Sequence, residues 1–223
     1  MARQTRKGPM NPALDAILSL GPVIPVLVVE REEDAVPLAR ALAAGGARAI
    51  EVTLRSPAAL GAIRRIAEAV PEAVAGAGTV LNPDDVAAAQ AAGARFIVSP
   101  GLSAPVAKAA SAARLPFLPG VATATEIMAG LDLGLSRFKF FPAETSGGAA
   151  AVAAFGGPFP SCRFCPTGGL RLDNAGAYLA LENVVCVGGS WLAPTAAVQA
   201  GDWDRIEALA RAASALRPSS AWR

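Results

Sequence analysis

The sequence contains no histidine, and this absence removes much of the usual chemistry of enzymes. Ser-His-Asp and Cys-His nucleophiles are excluded, as are metal sites that depend on imidazole ligands. Any general acid or base that acts near neutral pH must be a carboxylate, a lysine, a tyrosine or a water molecule. The chain has a single tyrosine, Tyr178, which we expect to lie in a helix.

Aromatic residues and net charge are also scarce. Aromatic side chains make up 5% of the 223 residues and the net charge is +2. The chain therefore offers neither a stacking surface nor an electrostatic attraction for nucleic acid. No apolar run reaches the roughly 18 residues of a membrane-spanning helix. Residues 1–10 are basic and lack the apolar segment of a secretory signal, so we expect a flexible tail and a cytoplasmic protein without membrane contacts.

Cysteine is rare, with only Cys162, Cys165 and Cys186 present. An odd number in a chain of this length is typical of buried thiols in a reducing compartment. Cys162 and Cys165 have the CxxC spacing of a zinc ligand pair, but neither a second pair nor a histidine completes such a site. We therefore expect core packing for these residues and no metal.

What the sequence does contain is a regular alternation of short apolar runs and alanine-rich stretches of about three helical turns. Eight of each predict parallel strands joined by right-handed crossovers, closed as a (β/α)8 TIM barrel in a single domain of residues 11–223. An extra N-terminal helix over residues 11–20 precedes the first strand. An open doubly wound sheet is disfavoured because no G-x-G-x-x-G follows that strand. The predicted strands are residues 22–29, 49–54, 73–77, 96–99, 117–119, 138–141, 162–166 and 184–187.

Lys139 is the most informative residue, and it lies in the aromatic run Arg137–Pro142. The chain has three lysines against seventeen arginines. Arginine stays charged, whereas a desolvated lysine can lose its proton and attack a carbonyl carbon. Lys139 is therefore a candidate Schiff-base nucleophile, and a lysine that reaches solvent from a strand end is the structural alternative. Because side chains alternate along a strand, Phe138 and Phe140 should pack toward the helices.

Polar residues collect where the predicted strands end, which is where such barrels carry their chemistry. In strand two, Glu51, Thr53 and Arg55 share one face, and a polar face should point inward rather than toward apolar helices. The alternative is a buried Glu–Arg pair that only satisfies itself. Strand three ends in Gly76-Ala77-Gly78-Thr79, where small residues admit a ligand and the threonine supplies a hydroxyl. Strand four ends in Ser99-Pro100-Gly101.

Two glycine pairs follow strands seven and eight, in Pro166-Thr167-Gly168-Gly169 and Gly188-Gly189-Ser190-Trp191. Paired glycines leave backbone N–H groups free to point at an anion. The loops after these two strands are a frequent phosphate site in this fold. One pair alone would only indicate a turn, whereas two pairs at these positions predict phosphate binding.

Together these motifs resemble the 2-keto-3-deoxy-6-phosphogluconate (KDPG) aldolase family, from about residue 21 to residue 203. The resemblance implies a homotrimeric class I TIM-barrel aldolase without a cofactor or metal. It also implies cleavage of 2-dehydro-3-deoxy-6-phosphogluconate to pyruvate and D-glyceraldehyde 3-phosphate in the Entner–Doudoroff pathway. The matching segments are residues 51–55, 76–83, 99–102, 138–144, 164–169 and 188–191.

The resemblance also implies roles for the matching positions. Lys139 would form the Schiff base, and Glu51 would be the general acid and base. The pyruvate carboxylate end would be held by Arg55 and Thr79. The remaining implied positions are Pro100 and Phe141 in the pocket lining, Thr167 beside the substrate, and Gly168, Gly169, Gly189 and Ser190 at the phosphate. The chain departs from the family pattern at Leu170-Arg171-Leu172, where relatives commonly have Ile followed by Ser-Pro, and this affects only the loop beyond the phosphate site.

Three alternatives remain open. The same imine chemistry serves 4-hydroxy-2-oxoglutarate, and related enzymes often act on both substrates. An aldolase for the galactonate epimer differs only in stereochemistry at C4, which the sequence does not reveal. A barrel that binds a sugar phosphate without catalysis would explain the glycine turns, but it would not explain an inward lysine opposite Glu51 and Arg55. Metal-dependent enzymes on this fold are disfavoured by the missing histidines.

Overall fold

The computed structural model describes residues 12–216, in which strands alternate with helices as the sequence predicts. The basic tail predicted for residues 1–10 lies outside the described residues. The strands in this range are β1 (Val23–Leu27), β2 (Ala49–Thr53), β3 (Val74–Gly78), β4 (Ile97–Val98), β5 (Phe117–Leu118), β6 (Gly120–Val121), β7 (Arg137–Phe140), β8 (Arg163–Pro166) and β9 (Val187–Gly189). The α-helices are α1 (Pro12–Leu18), α2 (Ala35–Ala44), α3 (Ala59–Ala69), α4 (Pro83–Ala91), α5 (Ala104–Ala112), α6 (Ala124–Asp132), α7 (Gly148–Phe155), α8 (Leu172–Leu179), α9 (Thr195–Ala200) and α10 (Trp203–Ser214).

The strands form two parallel sheets, and the predicted closed eight-stranded barrel is wrong. One sheet has six strands in the order β5-β4-β3-β2-β1-β9, and the other has three in the order β6-β7-β8. The run predicted as the fifth strand, residues 117–119, belongs to two short strands, β5 and β6, in different sheets. Pro119 lies between them, and because proline has no N–H it interrupts the hydrogen-bond ladder at this point.

The two sheets are also separated between β8 and β9. The segments of these two strands are joined only by two isolated bridges. These bridges join Phe164 to Val184 and Thr167 to Gly188. The last strand begins at Val187 rather than at the predicted residue 184, so it is too short to form a continuous ladder with β8.

Helices alternate with the strands as predicted, and the extra N-terminal helix expected over residues 11–20 is present as α1. Helix α4 begins where the Asn82 side chain accepts a hydrogen bond from the Asp85 N–H at 2.9 Å, with Pro83 at its first position. Helix α9 was not predicted, because six residues after Pro194 are too short to show a helical period. No helix within residues 12–216 is long and apolar enough to cross a membrane.

Side chains on the strands alternate between two apolar clusters. Ile97 and Phe117 belong to the large cluster that includes buried helical residues, whereas Val98 and Leu118 belong to a smaller inner cluster. Leu14 and Leu18 of helix α1 pack into the inner cluster. Arg137, at the start of β7, donates to Asp15 of the same helix, with Nε at 2.6 Å from Oδ1. Helix α1 therefore covers the end where β7 starts, which leaves the carboxyl ends of the strands for a site.

Candidate active site

Lys139 and Glu51 form a buried ion pair that joins the two sheets. Lys139 lies in β7 and Glu51 in β2, and the lysine Nζ donates to the glutamate Oε1 at 3.1 Å. Their side chains are 7% and 4% exposed. Phe138 and Phe140, on either side of the lysine, lie in the large cluster as the strand alternation predicts. Because desolvating two charges largely offsets their attraction, such a pair is better explained by chemistry than by stability.

Gly78 of β3 makes room for the Glu51 carboxylate. A Cβ at Gly78 would lie 2.2 Å from Glu51 Oε1. The neighbouring small residue on the same face, Gly76, accommodates the ring of Phe96 in the same way, because a Cβ at Gly76 would lie 2.4 Å from that ring. Both glycines of β3 are therefore required because another side chain lies too close for a Cβ. At Gly78 that side chain is Glu51, whose carboxylate pairs with Lys139.

Phe141 borders the ion pair. Its ring centroid lies 5.3 Å from Lys139 Nζ, a distance at which the face of the ring attracts a cationic nitrogen. The residue is half-buried, and the peptide bond that joins it to Pro142 is cis. Glu51 and Phe141, which were both predicted to lie in this site, are thus close to the Lys139 nitrogen.

Arg55 lies just beyond β2 and is held by Thr53. Thr53 is buried, and its hydroxyl donates to the Leu27 carbonyl at 2.8 Å. The same oxygen accepts a hydrogen bond from Arg55 Nε at 3.1 Å. Within the described residues Arg55 makes no ion pair, so the two terminal nitrogens of its exposed guanidinium remain available. A guanidinium fixed at Nε is suited to bind a carboxylate through two parallel hydrogen bonds.

Thr79 and Pro100 follow the neighbouring strands β3 and β4. Thr79 has a φ of 57°, in the left-handed region that a β-branched residue rarely adopts. The Pro100 carbonyl contacts β6, since a Cβ at Gly120 would lie 2.1 Å from its oxygen. Strands β2, β3 and β4 are adjacent in the six-stranded sheet, so Arg55, Thr79 and Pro100 all lie at its carboxyl edge.

The loops after β8 and β9 are adjacent, because a bridge joins Thr167 to Gly188. A Cβ at Gly188 would lie 2.3 Å from Thr167 Oγ1. Gly168 and Gly169 adopt φ values of 104° and 79°, which favour glycine. In the part of the chain that the structure describes, the N–H groups of these two glycines have no hydrogen-bond partner. Free N–H groups at consecutive glycines can bind an anion.

The carbonyl groups of this turn are, by contrast, all occupied. The Thr167 carbonyl accepts from the Ala143 N–H at 2.8 Å, and the Gly168 carbonyl accepts from the Glu144 N–H at 3.1 Å. The Gly169 carbonyl accepts from Asn174 Nδ2 at 3.3 Å. The carbonyl groups of the turn therefore already accept hydrogen bonds from the protein, whereas the N–H groups of Gly168 and Gly169 have no partner among the described residues.

Gly189 and Ser190 lie at the end of β9 and just after it. Gly189 is buried and packs beneath the indole of Trp191, because a Cβ there would lie 1.8 Å from the indole ring. Ser190 is exposed beside the Thr167–Gly188 bridge. Gly189 thus provides space for an aromatic ring, and Ser190 is the member of this pair with an accessible hydroxyl.

Two further side chains support the turn, and sequence reasoning assigned them no role. Glu144 follows β7, and its carboxylate accepts a short hydrogen bond from the hydroxyl of Tyr178 in helix α8, which confirms the helical position expected for this tyrosine. Burial and the Glu144 carboxylate raise the pKa of Tyr178, so the hydroxyl keeps its proton and donates. Two signals in the sequence could have found them: Tyr178 is the single tyrosine, and Glu144 ends the matching segment 138–144.

No set of three or more His, Cys, Asp or Glu side chains among residues 12–216 could hold a metal ion. Cys162, Cys165 and Cys186 are buried and free, as expected for core residues.

A buried lysine beside a carboxylate, near the carboxyl ends of parallel strands, is an arrangement suited to an aldolase. Comparisons with known proteins also indicate an aldolase. The family model of KDPG and KHG aldolase matches residues 14–209, so the chain belongs to this family and is a carbon–carbon lyase. It is 56% identical over 199 residues to the KHG/KDPG aldolase of Escherichia coli (strain K12), covering 89% of this chain and 93% of that protein.

Two solved structures are also similar. One is the 2-keto-3-deoxy-6-phosphogluconate aldolase of Zymomonas mobilis ZM4 with 3-phosphoglycerate, with a TM-score of 0.88 and 50% identity, covering 93% of this chain and 97% of that chain. The other is the KDPG aldolase of Legionella pneumophila with pyruvate captured as a covalent carbinolamine intermediate, with a TM-score of 0.88 and 44% identity, covering 91% of this chain and 98% of that chain.

Proposed function

We propose that the protein is a class I aldolase that cleaves 2-dehydro-3-deoxy-6-phosphogluconate to pyruvate and D-glyceraldehyde 3-phosphate through a Schiff base on Lys139. The observation that carries this proposal is the buried Lys139–Glu51 pair, in which the lysine nitrogen lies 3.1 Å from a carboxylate oxygen. The glutamate can accept the proton that the lysine must lose before it attacks, because it is already within hydrogen-bond reach. The covalent carbinolamine in the Legionella pneumophila relative supports the same chemistry.

The reaction then proceeds through covalent intermediates on Lys139. Neutral Lys139 Nζ adds to the C2 carbonyl of the substrate to give a carbinolamine. Glu51 then gives the proton it took from the lysine to the departing hydroxyl, so that loss of water leaves a protonated imine and a Glu51 carboxylate. Glu51 takes the proton of the C4 hydroxyl, directly or through a water molecule, and the C3–C4 bond breaks. Its electron pair moves toward the imine nitrogen, which forms an enamine and releases the aldehyde. Protonation at C3 and hydrolysis of the resulting imine release pyruvate and restore the lysine.

We propose binding roles for the residues around this pair. We assign the pyruvate carboxylate to Arg55 and Thr79, because the terminal guanidinium nitrogens of Arg55 are available at the carboxyl edge of the sheet. Pro100 and Phe141 would line the pocket beside the lysine. We assign the phosphate to the residues of the two adjacent loops, with Thr167 beside the substrate. These phosphate-binding residues are Gly168, Gly169, Gly189 and Ser190. The 3-phosphoglycerate bound by the Zymomonas mobilis relative supports a site for phosphorylated acids.

A secondary activity is proposed on 4-hydroxy-2-oxoglutarate, which would give pyruvate and glyoxylate. The similarity to a KHG/KDPG aldolase supports it, and the Lys139–Glu51 pair would serve both substrates unchanged. For the remaining properties we propose a cytoplasmic homotrimer that acts in the Entner–Doudoroff pathway as one domain over residues 11–223. The free, buried cysteines support a reducing compartment, and family membership supports the trimer and the pathway.

Borohydride trapping with pyruvate, followed by peptide mass spectrometry, tests the central assignment. We expect a reduced pyruvyl adduct on Lys139, and we expect Lys139→Met to abolish both the adduct and substrate cleavage. Lys108→Met is the matched control, because Lys108 is exposed on helix α5 and the substitution removes the same side-chain charge. An adduct that survives in Lys139→Met, or full turnover by that variant, would show that the nucleophile is another group.

A further inference from the structure

The Gly168–Gly169 turn is held from the side opposite its free N–H groups by two elements. The loop after β7 donates two backbone hydrogen bonds, from Ala143 and Glu144, to carbonyl groups of the turn. Helix α8 contributes the Asn174 amide, whose oxygen also accepts from the Arg171 N–H at 2.7 Å. The conformation of the turn therefore depends on where the β7 loop and helix α8 lie relative to each other.

One hydrogen bond joins these two elements directly, between the Tyr178 hydroxyl of α8 and the Glu144 carboxylate of the β7 loop. Tyr178 is 1% exposed and belongs to the large apolar cluster, so its hydroxyl is fixed in position by the packing of its ring. Glu144, by contrast, is an exposed residue of a loop. The rigid partner in this pair is the tyrosine, and the glutamate is the group that it positions.

The Glu144 side chain in turn covers Gly169. A Cβ at Gly169 would lie 2.6 Å from Glu144 Cγ and 2.8 Å from its Cβ. The methylene groups of the glutamate therefore press against the back of the turn, while the backbone N–H of the same residue binds the Gly168 carbonyl. Placing Glu144 fixes the peptide planes whose N–H groups are free.

We propose that Tyr178 and Glu144 are positioning residues that set the Gly168–Gly169 turn for phosphate, and that they thereby determine the preference for phosphorylated over unphosphorylated 2-keto acids. The inference rests on the proposed function of this turn. Neither residue needs to touch the substrate or Lys139. Both act through the orientation of two backbone N–H groups, because preorganised donors bind an anion better than donors that must first be ordered.

The test compares a phosphate-dependent and a phosphate-independent readout in the same variants. The first is the KM for 2-dehydro-3-deoxy-6-phosphogluconate, and the second is the pyruvate concentration that half-saturates borohydride trapping. Tyr178→Phe keeps the buried ring and removes only the hydroxyl, and we expect it to raise the KM about tenfold, a factor of the size expected for one hydrogen bond to a charged group. The pyruvate dependence of trapping should stay that of the wild type.

Glu144 supplies independent variants, because its substitution does not disturb the core. Glu144→Ala should raise the KM as Tyr178→Phe does, and Glu144→Gln, which keeps an acceptor for the tyrosine and the methylene cover, should recover part of the loss. The double variant Tyr178→Phe/Glu144→Ala should have a KM no higher than that of Glu144→Ala alone, since both act through one hydrogen bond.

The inference is overturned if the KM is unchanged in both single variants, or if the KM and the pyruvate dependence of trapping rise in parallel, which would indicate a general structural role. Failure of the proposed function is visible separately in the wild type. A wild-type protein that is trapped by pyruvate but shows no preference for the phosphorylated substrate would refute the phosphate assignment, and with it the positioning role.

Discussion

The contact between Gly78 and Glu51 predicts that adding one methyl group on β3 disables the proposed catalytic pair without changing either member. A Cβ at Gly78 would lie 2.2 Å from Glu51 Oε1, whereas ordinary van der Waals contact begins at 3.4 Å. In Gly78→Ala the oxygen must therefore retreat from 2.2 Å to 3.4 Å, a displacement of about 1.2 Å. This oxygen is the one that accepts the hydrogen bond from Lys139 at 3.1 Å.

The size of the effect follows from that displacement. A misplacement of about 1 Å in a catalytic group can cost about 10²-fold in rate, which corresponds to about 2.7 kcal/mol in the activation free energy. We expect Gly78→Ala to lower kcat for substrate cleavage by about this factor, because the carboxylate that takes the proton has moved away. The added methyl group should also lower the free energy of unfolding by about 1–3 kcal/mol, the usual cost of overpacking.

Steady-state kinetics with pyruvate release coupled to lactate dehydrogenase measures kcat, and urea unfolding measures stability. Gly176→Ala is the control, because a Cβ at this exposed position of α8 meets nothing within 4 Å. It should keep the wild-type kcat. A Gly78→Ala protein with the wild-type kcat would refute the assignment of Glu51, since the carboxylate cannot keep its place beside the lysine once the methyl group is present.

Two further substitutions separate binding from stability. Thr53→Val removes the hydroxyl that orients Arg55 and should raise the KM about tenfold, with a loss of about 0.5–1.5 kcal/mol in unfolding free energy from the lost hydrogen bond to the Leu27 carbonyl. Thr53→Ser should restore the KM and the unfolding free energy. If the double variant Thr53→Val/Arg55→Ala has the same KM as Arg55→Ala alone, the threonine acts through the arginine. Thr79→Gly should lower kcat/KM about tenfold because the hydroxyl is lost, while the unfolding free energy stays level or rises by up to about 1.5 kcal/mol. The rise is expected because left-handed backbone costs a non-glycine residue about 1–2 kcal/mol and glycine costs about 0.5–1 kcal/mol in chain entropy. Thermal or urea unfolding that shows a clear loss of stability in Thr79→Gly would contradict the strain at this position.

Much of the local structure could be predicted from the sequence because it depends on short-range patterns. The period of two along β7 predicted that Phe138 and Phe140 pack with the helices while Lys139 points the other way, and the structure agrees. The Asn82–Pro83 start of α4 follows from groups within four residues of each other. The alternation of side chains along each strand also placed Lys139 and Glu51 on inward faces. The proximity of the two side chains could therefore be predicted in the same way.

The errors arise where the outcome depends on contacts between distant segments. A closed barrel requires that neighbouring strands keep enough length in common, and strand length is set by tertiary contacts that the period of a single segment does not contain. Pro119 was visible in the sequence, but β5 and β6 on either side of it pair with different strands, and which strands they meet depends on distant segments.

The same reasoning explains why the residues behind the glycine turn were missed. Tyr178 and Glu144 are 34 positions apart, and the tyrosine fits the apolar face of α8 without any further role. A motif shows the groups that could bind a phosphate, namely the glycines, whereas the groups that hold those glycines in place come from whichever elements pack behind them. Specificity that depends on such support can therefore change while the motif stays intact. In this protein we expect substitutions at residues 144 and 178 to produce such a change in specificity.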